Sequence, residues 1–245
     1  MSNNMTRPTK KHGLMAAIND IQSRLDFKIR TFADRRFDRK YKVETAGIVW
    51  RHDLDMDADR KMAAFQYEPT PAPVLRSILK QLRIDYSKYA FIDYGSGKGR
   101  ALLLASEYPY AKIIGVEFSP GLHKIAENNI RIWNNPGQRC FKIESICADA
   151  SEYKLPNQPL VIFFFTPFRS PVSNRVINNI KQSFNDSPRS MYIFYYGTNK
   201  KFIKLLEQLE FNRKEIYSRR PLSALRKYKG MIFWPDVIDK ECQTS

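Results

Sequence analysis

Short apolar runs alternate with amphipathic stretches through the middle and the end of this 245-residue chain. The run at residues 160–165 (LVIFFF) has no polar position, which is typical of a central parallel strand covered on both faces. The predicted strands lie at residues 89–94, 112–116, 141–147, 160–165, 191–196, 211–217 and 229–234. The helices predicted between or before them lie at residues 71–82, 100–106, 120–133, 172–184 and 200–209. This alternation predicts an α/β fold with a doubly wound, mostly parallel sheet.

Two of these helices have recognisable starts. Pro71 is predicted to be the first residue of its helix, with Thr70 as the capping residue. Ser119 is predicted to cap the helix that Pro120 begins. Both starts follow from the missing amide hydrogen and fixed backbone angle of proline.

The N-terminal part of the chain has a different pattern. Between Leu14 and Tyr41, apolar residues recur at intervals of three and four, which predicts one or two amphipathic helices. Residues 43–64 carry four alternating acids, Asp53, Asp55, Asp57 and Asp59. They lack the glycine and the final glutamate of a calcium loop, so we interpret them as part of a solvated loop. We therefore divide the chain into a basic helical extension with a loop, residues 1–64, and a main domain, residues 65–240.

Composition narrows the class of protein. A hydrophobic content of 43% and a mean hydropathy of −0.49 are ordinary for a soluble protein. No apolar run approaches the roughly 18 residues of a membrane helix, and residues 1–13 lack the apolar core of a signal peptide. The three cysteines have no paired or metal-ligand spacing, and there are only three histidines. We expect a cytoplasmic protein with free thiols, no membrane span and no metal site.

The charge is strongly positive: 41 basic and 25 acidic residues give +16, with an isoelectric point near 9.8. Most of the excess lies at residues 7–42 and 200–229, including a run formed by Arg35, Arg36, Arg39 and Lys40. Such a run is typical of contact with nucleic acid or a membrane surface. It is also compatible with a helical cap on the main domain, in which Asp34 and Asp38 offset part of the charge. The sequence leaves both interpretations open.

The candidate chemistry centres on the loop after the first strand. Gly95, Gly97 and Gly99 follow that strand at every second position, and a stretch of helical composition comes next. This order brings bare backbone and helix N–H groups close to a ligand. Glu117, at the end of the second strand, is placed to accept hydrogen bonds from two ribose hydroxyls. The layout predicts a nucleoside cofactor.

Details of the loop indicate which cofactor. A dinucleotide fingerprint requires glycine or alanine where this chain has Arg100. Asp93, two residues before the first glycine, would repel a pyrophosphate but attract a cation. S-adenosylmethionine carries a sulfonium and an ammonium group and no phosphate, and it is the cofactor that we predict. The alternative is a glycine turn that only reverses the chain.

The residues that carry these features resemble a known family. Asp93-Tyr-Gly-Ser-Gly-Lys-Gly99 with Gly115-Val-Glu-Phe-Ser119 resembles motif I and the following acidic motif of class I (seven-β-strand) methyltransferases. The wider run over residues 45–196 is similar to uncharacterised bacterial members. It is more distantly similar to non-SET protein-lysine methyltransferases, which also place a Tyr-x-Pro-Thr-Pro segment before the first strand, as at residues 67–71.

The resemblance implies a Rossmann-like seven-stranded sheet whose last two strands form an antiparallel edge. It implies that Asp149, after the third strand, accepts a hydrogen bond from the adenine amino group, although aspartate also begins ordinary turns. The rigid segment with Tyr67 and Thr70 is expected to form a lid over the methionine end of the cofactor. The implied cofactor-binding residues are Tyr67, Thr70, Asp93, Gly95, Ser96, Gly97, Gly99, Glu117, Phe118 and Asp149.

The candidate catalytic residues follow the fourth strand as Thr166, Pro167 and Phe168. Nucleobase and glutamine N-methyltransferases have Asn or Asp, Pro, Pro, then Tyr or Phe at this place. Here threonine replaces the amide and one proline is missing, which favours a lysine-type amine over a base amine. The Thr166 hydroxyl can orient the amine, and Phe168 can form a wall of its pocket or contact a cation. Glu68, beside the lid, is the nearest candidate carboxylate for a general base.

The sequence therefore predicts an S-adenosylmethionine-dependent methyltransferase that acts on a lysine-type amine of a protein. One alternative is an RNA or other nucleic-acid methyltransferase that uses the basic ends of the chain as a grip. A second alternative is a non-catalytic binding module of the same fold.

Overall fold

In the computed structural model, residues 10–165, 168–219 and 227–236 are described. Seven strands form one sheet in the order β3-β2-β1-β4-β5-β7-β6. The strands are β1 (Ala90–Tyr94), β2 (Lys112–Glu117), β3 (Ile143–Cys147), β4 (Leu160–Phe165), β5 (Met191–Tyr196), β6 (Asn212–Arg219) and β7 (Lys227–Trp234). Strands β1 to β5 run parallel to one another, whereas β7 lies antiparallel between β5 and β6. The seven-stranded sheet with an antiparallel edge is therefore confirmed.

The helices are α1 (Lys10–Tyr41), α2 (Ala58–Ala63), α3 (Ala72–Gln81), α4 (Arg100–Ala105), α5 (Pro120–Ile132), α6 (Val172–Asp186) and α7 (Lys200–Glu207). The N-terminal pattern thus forms one continuous helix. Within the described ranges, no helix combines the length and the apolar character that crossing a bilayer requires.

Both faces of the sheet are covered, as the doubly wound prediction requires. Successive strand residues point to opposite faces, so Phe91 and Phe163 pack in a layer with α3 and α4. Ile92 and Phe164 pack in the other layer, with α6 and α7. Every residue of β4 from Leu160 to Phe164 is buried, which confirms its central position between β1 and β5.

Two local predictions are wrong. Helix α3 begins at Ala72 with Pro71 as its N-cap, and no side chain caps it, so Thr70 is not a capping residue. Thr70 is instead buried against the cavity described below. The segment at residues 43–64 is also not all loop, because residues 58–63 form α2. Alanine, lysine and methionine in that stretch favour helix, and Asp59 lies within it.

The C-terminal part of α1 packs on the main domain. Phe37 is 7% exposed and stacks on Trp133, and Tyr41 contacts the same indole ring. Nearer the N-terminus, Ile21 and Leu25 are 65% and 56% exposed. One end of the helix thus belongs to the core, and the other presents apolar side chains to solvent.

Candidate cofactor and acceptor site

A cavity of about 360 Å³ lies at the carboxyl ends of β1, β2 and β4. This is the edge where parallel α/β sheets bind their ligands. Its lining includes Phe65, Tyr67, Glu68, Thr70, Asp93, Gly95, Ser96, Gly97, Arg100, Glu117, Phe118, Asp149, Phe165 and Phe168. Nine of the ten predicted cofactor-binding residues therefore share one cavity, and the tenth, Gly99, begins the adjoining helix.

The glycine loop has the backbone geometry that glycine permits. Gly95, Gly97 and Gly99 have φ values of +78°, +54° and +83°, in the left-handed region that other residues rarely adopt. The amides of Gly95 and Ser96 both donate to the Val116 carbonyl, at 2.9 and 3.2 Å. The loop is thereby fixed across the ends of β1 and β2.

Tyr67 covers this loop. A Cβ atom added to Gly97 would overlap the ring carbons Cδ2 and Cε2 of Tyr67. The Tyr67 hydroxyl donates to the Thr45 carbonyl at 2.7 Å, and its backbone pairs with Val49. Gly97 is therefore required by the aromatic ring above it, and the predicted lid lies over the loop.

The lid is held at its other end by the segment after β4. Ala64 and Phe168 form an antiparallel bridge, and the Arg169 amide donates to the Ala63 carbonyl at 2.9 Å. The Arg169 guanidinium also lies 4.8 Å from the centre of the Phe65 ring. No pattern in the sequence predicts this pairing, which closes the cavity between the two segments.

Glu117 lies at the tip of β2, as predicted, and is 7% exposed. Its Oε2 accepts from the Gly97 amide at 2.7 Å, and its Oε1 accepts from the Ser119 amide at 2.8 Å. Burial raises the pKa of Glu117, and these amide donors lower it. A carboxylate has about four acceptor positions, and the amides of Gly97, Phe118 and Ser119 occupy part of them, so acceptor capacity remains for ligand hydroxyls.

Asp93 is a buried acid near the end of β1, beside the glycine loop. Its side chain is 3% exposed and has no hydrogen-bond partner among the described residues. Burial first, and the nearby Glu117 carboxylate second, raise the pKa of Asp93 to about 8. A buried acid without a partner is stabilised in its charged form by a cation. The cavity therefore fits a nucleoside that carries positive charge, and Glu117 is placed to accept hydrogen bonds from its ribose hydroxyls.

The remaining predicted cofactor residues differ in their surroundings. Asp149 Oδ1 accepts from the amide and the hydroxyl of Ser151, at 2.8 and 2.6 Å. Asp149 thus begins a turn, the alternative that the sequence left open, while it also lines the cavity. The Ser96 hydroxyl is buried without a partner among the described residues, and it lies against Gly115. Phe118 is half-buried beside Glu117.

Aromatic side chains form the walls of the cavity on the side where β4 ends. They are contributed by Phe65, Phe165 and Phe168. Of the three predicted catalytic residues, only Phe168 is described, because Thr166 and Pro167 lie outside the described residues. Glu68 also lines the cavity, where it is paired with Arg30 at 2.6 Å and accepts from Gln66 Nε2 at 2.8 Å.

Sequence reasoning missed a buried polar cluster behind the loop. Arg100 is 2% exposed and donates to Asp34 and Thr45, at 2.6 and 2.5 Å. Asp34 and Asp38 therefore face this guanidinium from α1. The one available signal was the arginine that stands where a dinucleotide loop has glycine or alanine.

No family model matches the chain. It is similar to the type II methyltransferase M.XamI of Xanthomonas campestris pv. amaranthicola, with 34% identity over 90 residues. The aligned segment covers 36% of this chain and 16% of that relative. The chain thus spans under a fifth of the length of the curated relative that it matches.

Solved structures with a similar arrangement include several described as methyltransferases. A precorrin-6y C5,15-methyltransferase of Geobacter metallireducens GS-15 has a TM-score of 0.47 and 15% identity, covering 66% of this chain and 87% of that one. A ribosomal protein L11 methylase of Lactobacillus delbrueckii subsp. bulgaricus has a TM-score of 0.48 and 14% identity, covering 69% and 80%. These values are too low to indicate a shared substrate.

Proposed function

We propose that this chain is an S-adenosylmethionine-dependent methyltransferase of the class I fold, and that the cavity holds the cofactor. One observation carries the proposal: Asp93, a buried carboxylate without a partner among the described residues, lies beside a bare glycine loop. A cation completes that site, whereas a phosphate would add negative charge to it. The sulfonium and ammonium groups of S-adenosylmethionine supply the required charge.

Each part of the site has a role in this proposal. Glu117 would accept hydrogen bonds from the ribose hydroxyls, Asp149 would hold the adenine, and the loop backbone would border the methionine moiety, since all three line the cavity. When bound, the cofactor supplies an electrophilic methyl group on sulfur. The chain's own residues then provide alignment and exclude water, and proximity of this kind is worth up to roughly 7–11 kcal/mol. Tyr67, lying over Gly97, covers the site.

We propose an amine of the lysine type as the acceptor. The attacking nitrogen must be neutral, and a solution pKa of about 10.4 leaves most lysine side chains charged near neutral pH. The aromatic walls from Phe65, Phe165 and Phe168 desolvate an entering amine, which lowers its pKa. Glu68 lies at the same end, but its pairing with Arg30 favours a role in positioning over proton removal.

A nucleic acid is the second candidate acceptor, and the position of α1 favours it. Arg30 of that helix contacts Glu68 of the cavity wall, so the exposed Arg35, Arg36 and Arg39 lie within three turns of the lid contact. Positive side chains beside a cavity suit a phosphate backbone.

Calorimetric titration of S-adenosylmethionine into the pure protein tests the proposed cofactor. We expect saturable one-to-one binding, which Glu117→Gln weakens by roughly 1.5–3 kcal/mol, because hydrogen bonds to a charged acceptor become neutral ones. Glu127→Gln, an exposed change on α5, should bind like the wild type. Absence of binding by a folded wild-type protein would overturn the proposal.

The acceptor is identified by methyl transfer from radiolabelled cofactor. The protein is incubated with cell lysate, and the products are digested separately with protease and with nuclease. A lysine-type acceptor predicts label that protease releases and nuclease leaves in place. The reverse result selects the nucleic-acid candidate.

A further inference from the structure

We infer that helix α1 is a working part of the cofactor site, and that Asp34 acts as a positioning residue for the glycine loop and the Tyr67 lid. This inference rests on the proposed function. It concerns Asp34, Asp38 and Thr45, which do not line the cavity and which the cofactor proposal does not use.

The first link is the buried guanidinium of Arg100, the first residue after the loop. Its Nη1 donates to Asp34 Oδ1 at 2.6 Å, and its Nη2 donates to Asp38 Oδ1 at 3.2 Å. Its Nε donates to the Thr45 hydroxyl at 2.5 Å, and the ring centre of Phe37 lies 4.5 Å from its central carbon. All of these partners lie on α1 or shortly after it. The position of Arg100 is therefore set by the N-terminal segment.

The second link runs from Asp38 to the lid. Asp38 Oδ2 accepts from the amides of Thr45 and Ala46, at 2.7 and 2.6 Å, and its Oδ1 accepts from the Thr45 hydroxyl. Thr45 is fully buried, and its carbonyl accepts the hydrogen bond from the Tyr67 hydroxyl. The ring that covers Gly97 is thus held by the same residue that contacts Arg100.

The third link joins the segment after α1 to the loop directly. Asn129, which is fully buried, donates to the carbonyls of Glu44 and Lys98, both at 2.9 Å, and accepts from the Glu44 amide at 2.8 Å. The Lys98 ammonium lies 3.0 Å from Glu44 Oε1. Residues 44–46 therefore meet the loop through Arg100, through Tyr67 and through Lys98.

These links make a closed set of contacts around the loop. Because breaking one partner of a buried, hydrogen-bonded ion pair leaves the other charge uncompensated, the set is sensitive to loss of a single carboxylate. When the Asp34 carboxylate is removed, Arg100 loses its 2.6 Å partner. The hydrogen bond from Arg100 Nε to Thr45, the residue whose carbonyl holds the Tyr67 hydroxyl, is then no longer fixed from that side. The loop then samples conformations in which Gly97 is uncovered.

The test compares Asp34→Ala with a control at a second buried arginine. Arg189 is 7% exposed and donates to carbonyls of Gln158, Ser183 and Ser187 just before β5, away from the cavity edge. The Arg189→Lys variant loses forked hydrogen bonds of the same kind, and residue 189 does not contact the loop. Both variants are first checked for folding by circular dichroism and thermal unfolding.

Two readouts are measured on the full chain. For Asp34→Ala we expect S-adenosylmethionine affinity to fall by roughly tenfold and hydrogen exchange in residues 95–99 to accelerate without ligand. Arg189→Lys should change affinity by less than about twofold and leave loop exchange unchanged. Asp34→Asn, which keeps one acceptor oxygen, should recover part of both effects.

Two outcomes overturn the inference. A folded Asp34→Ala protein with unchanged loop exchange and affinity would show that α1 is only a structural cap. Equal loss of affinity in Arg189→Lys would show that general destabilisation is responsible. If the wild type itself fails to bind the cofactor, the proposed function fails, while the exchange measurement still decides whether Asp34 positions the loop.

Discussion

Gly97 is the residue at which the cofactor loop meets the lid, and its lack of a side chain has two separate reasons. Its φ of +54° disfavours other residues, and the Tyr67 ring occupies the space of a Cβ atom. We predict that Gly97→Ala weakens S-adenosylmethionine binding by more than about tenfold, since backbone strain and displacement of the ring both act on the loop. Calorimetric titration measures the effect.

Gly47 provides a matched control for the effect of backbone strain alone. It has a φ of +86°, but nothing lies within 4 Å of an added Cβ atom. Gly47→Ala should therefore reproduce the strain without the overlap and leave cofactor affinity close to that of the wild type. Equal loss of binding in both variants would contradict the role assigned to the Tyr67 ring.

Asp93 gives the site a pH dependence with a defined sign. Its pKa is raised from 3.8 to about 8, so folding takes up a proton at this group. The contribution of Asp93 to stability therefore decreases as the pH rises from about 4 to about 8 and is constant above that range. A cationic ligand favours the ionised carboxylate, so binding below pH 8 releases the proton. We expect S-adenosylmethionine affinity to increase as the pH rises from 6 to 8, as measured by titration calorimetry.

Asp93→Asn separates this effect from titration of the ligand. The variant keeps the shape of the side chain and cannot ionise, so any pH dependence that it retains belongs to groups other than Asp93. Calorimetry in buffers of different ionisation enthalpy should detect proton release by the wild type and less by the variant. Identical proton release by the two proteins would refute the role of Asp93.

At the scale of elements, β4 organises the molecule. It pairs with β1 and β5, both its faces are covered, and it ends at the cavity. Phe163, 1% exposed, packs in the layer with α3 and α4. We predict that Phe163→Ala lowers the free energy of unfolding by about 3–5 kcal/mol, because it leaves a cavity in a central strand. Urea unfolding measures the change.

Phe141 offers the corresponding substitution at the surface, because its side chain is 78% exposed just before β3. Phe141→Ala should change the free energy of unfolding by no more than about 0.5 kcal/mol. If the two variants are equally stable, the placement of β4 at the centre of the core is wrong.

At the scale of the whole molecule, the net charge of +16 is the main property to which the cofactor site gives no role. Arg35, Arg36 and Arg39 are exposed on α1, while Asp34 and Asp38 on the same helix are directed to Arg100. If the nucleic-acid candidate holds, replacing these three arginines with glutamine should weaken RNA binding. The slope of log affinity against log salt should then flatten by roughly two to three units. Binding measured at several salt concentrations gives this slope.

A control variant removes three positive charges elsewhere on the surface, at the exposed residues Arg131, Arg139 and Lys142 near β3. Their replacement by glutamine should flatten the slope much less, and neither triple variant should alter cofactor affinity. Within the other basic stretch, residues 200–229, the side chains of residues 219–227 are not described. Absence of salt-dependent RNA binding by the wild type would leave the lysine-type amine as the acceptor candidate.

The local sequence by itself determined the order of the elements and the position of the cofactor loop. The LVIFFF run could only be a strand without a wet face, and it forms β4 over the predicted residues. The glycines at 95, 97 and 99 and the Ser119 cap act through the backbone angles and hydrogen bonds of their immediate neighbours. Such features depend on a few adjacent residues, so they can be predicted from sequence.

The tertiary structure decided which distant residues complete the site. Asp34 and Asp38 meet Arg100 across 66 and 62 positions of the chain, and Ala64 pairs with Phe168 across the cavity. It also showed that Thr70 borders the cavity and caps no helix. No periodicity of apolar and polar positions encodes these contacts, because they depend on how the packed elements place side chains in space. A buried ion pair in particular cannot be predicted from either partner alone, because its free energy depends on both charges being removed from water together.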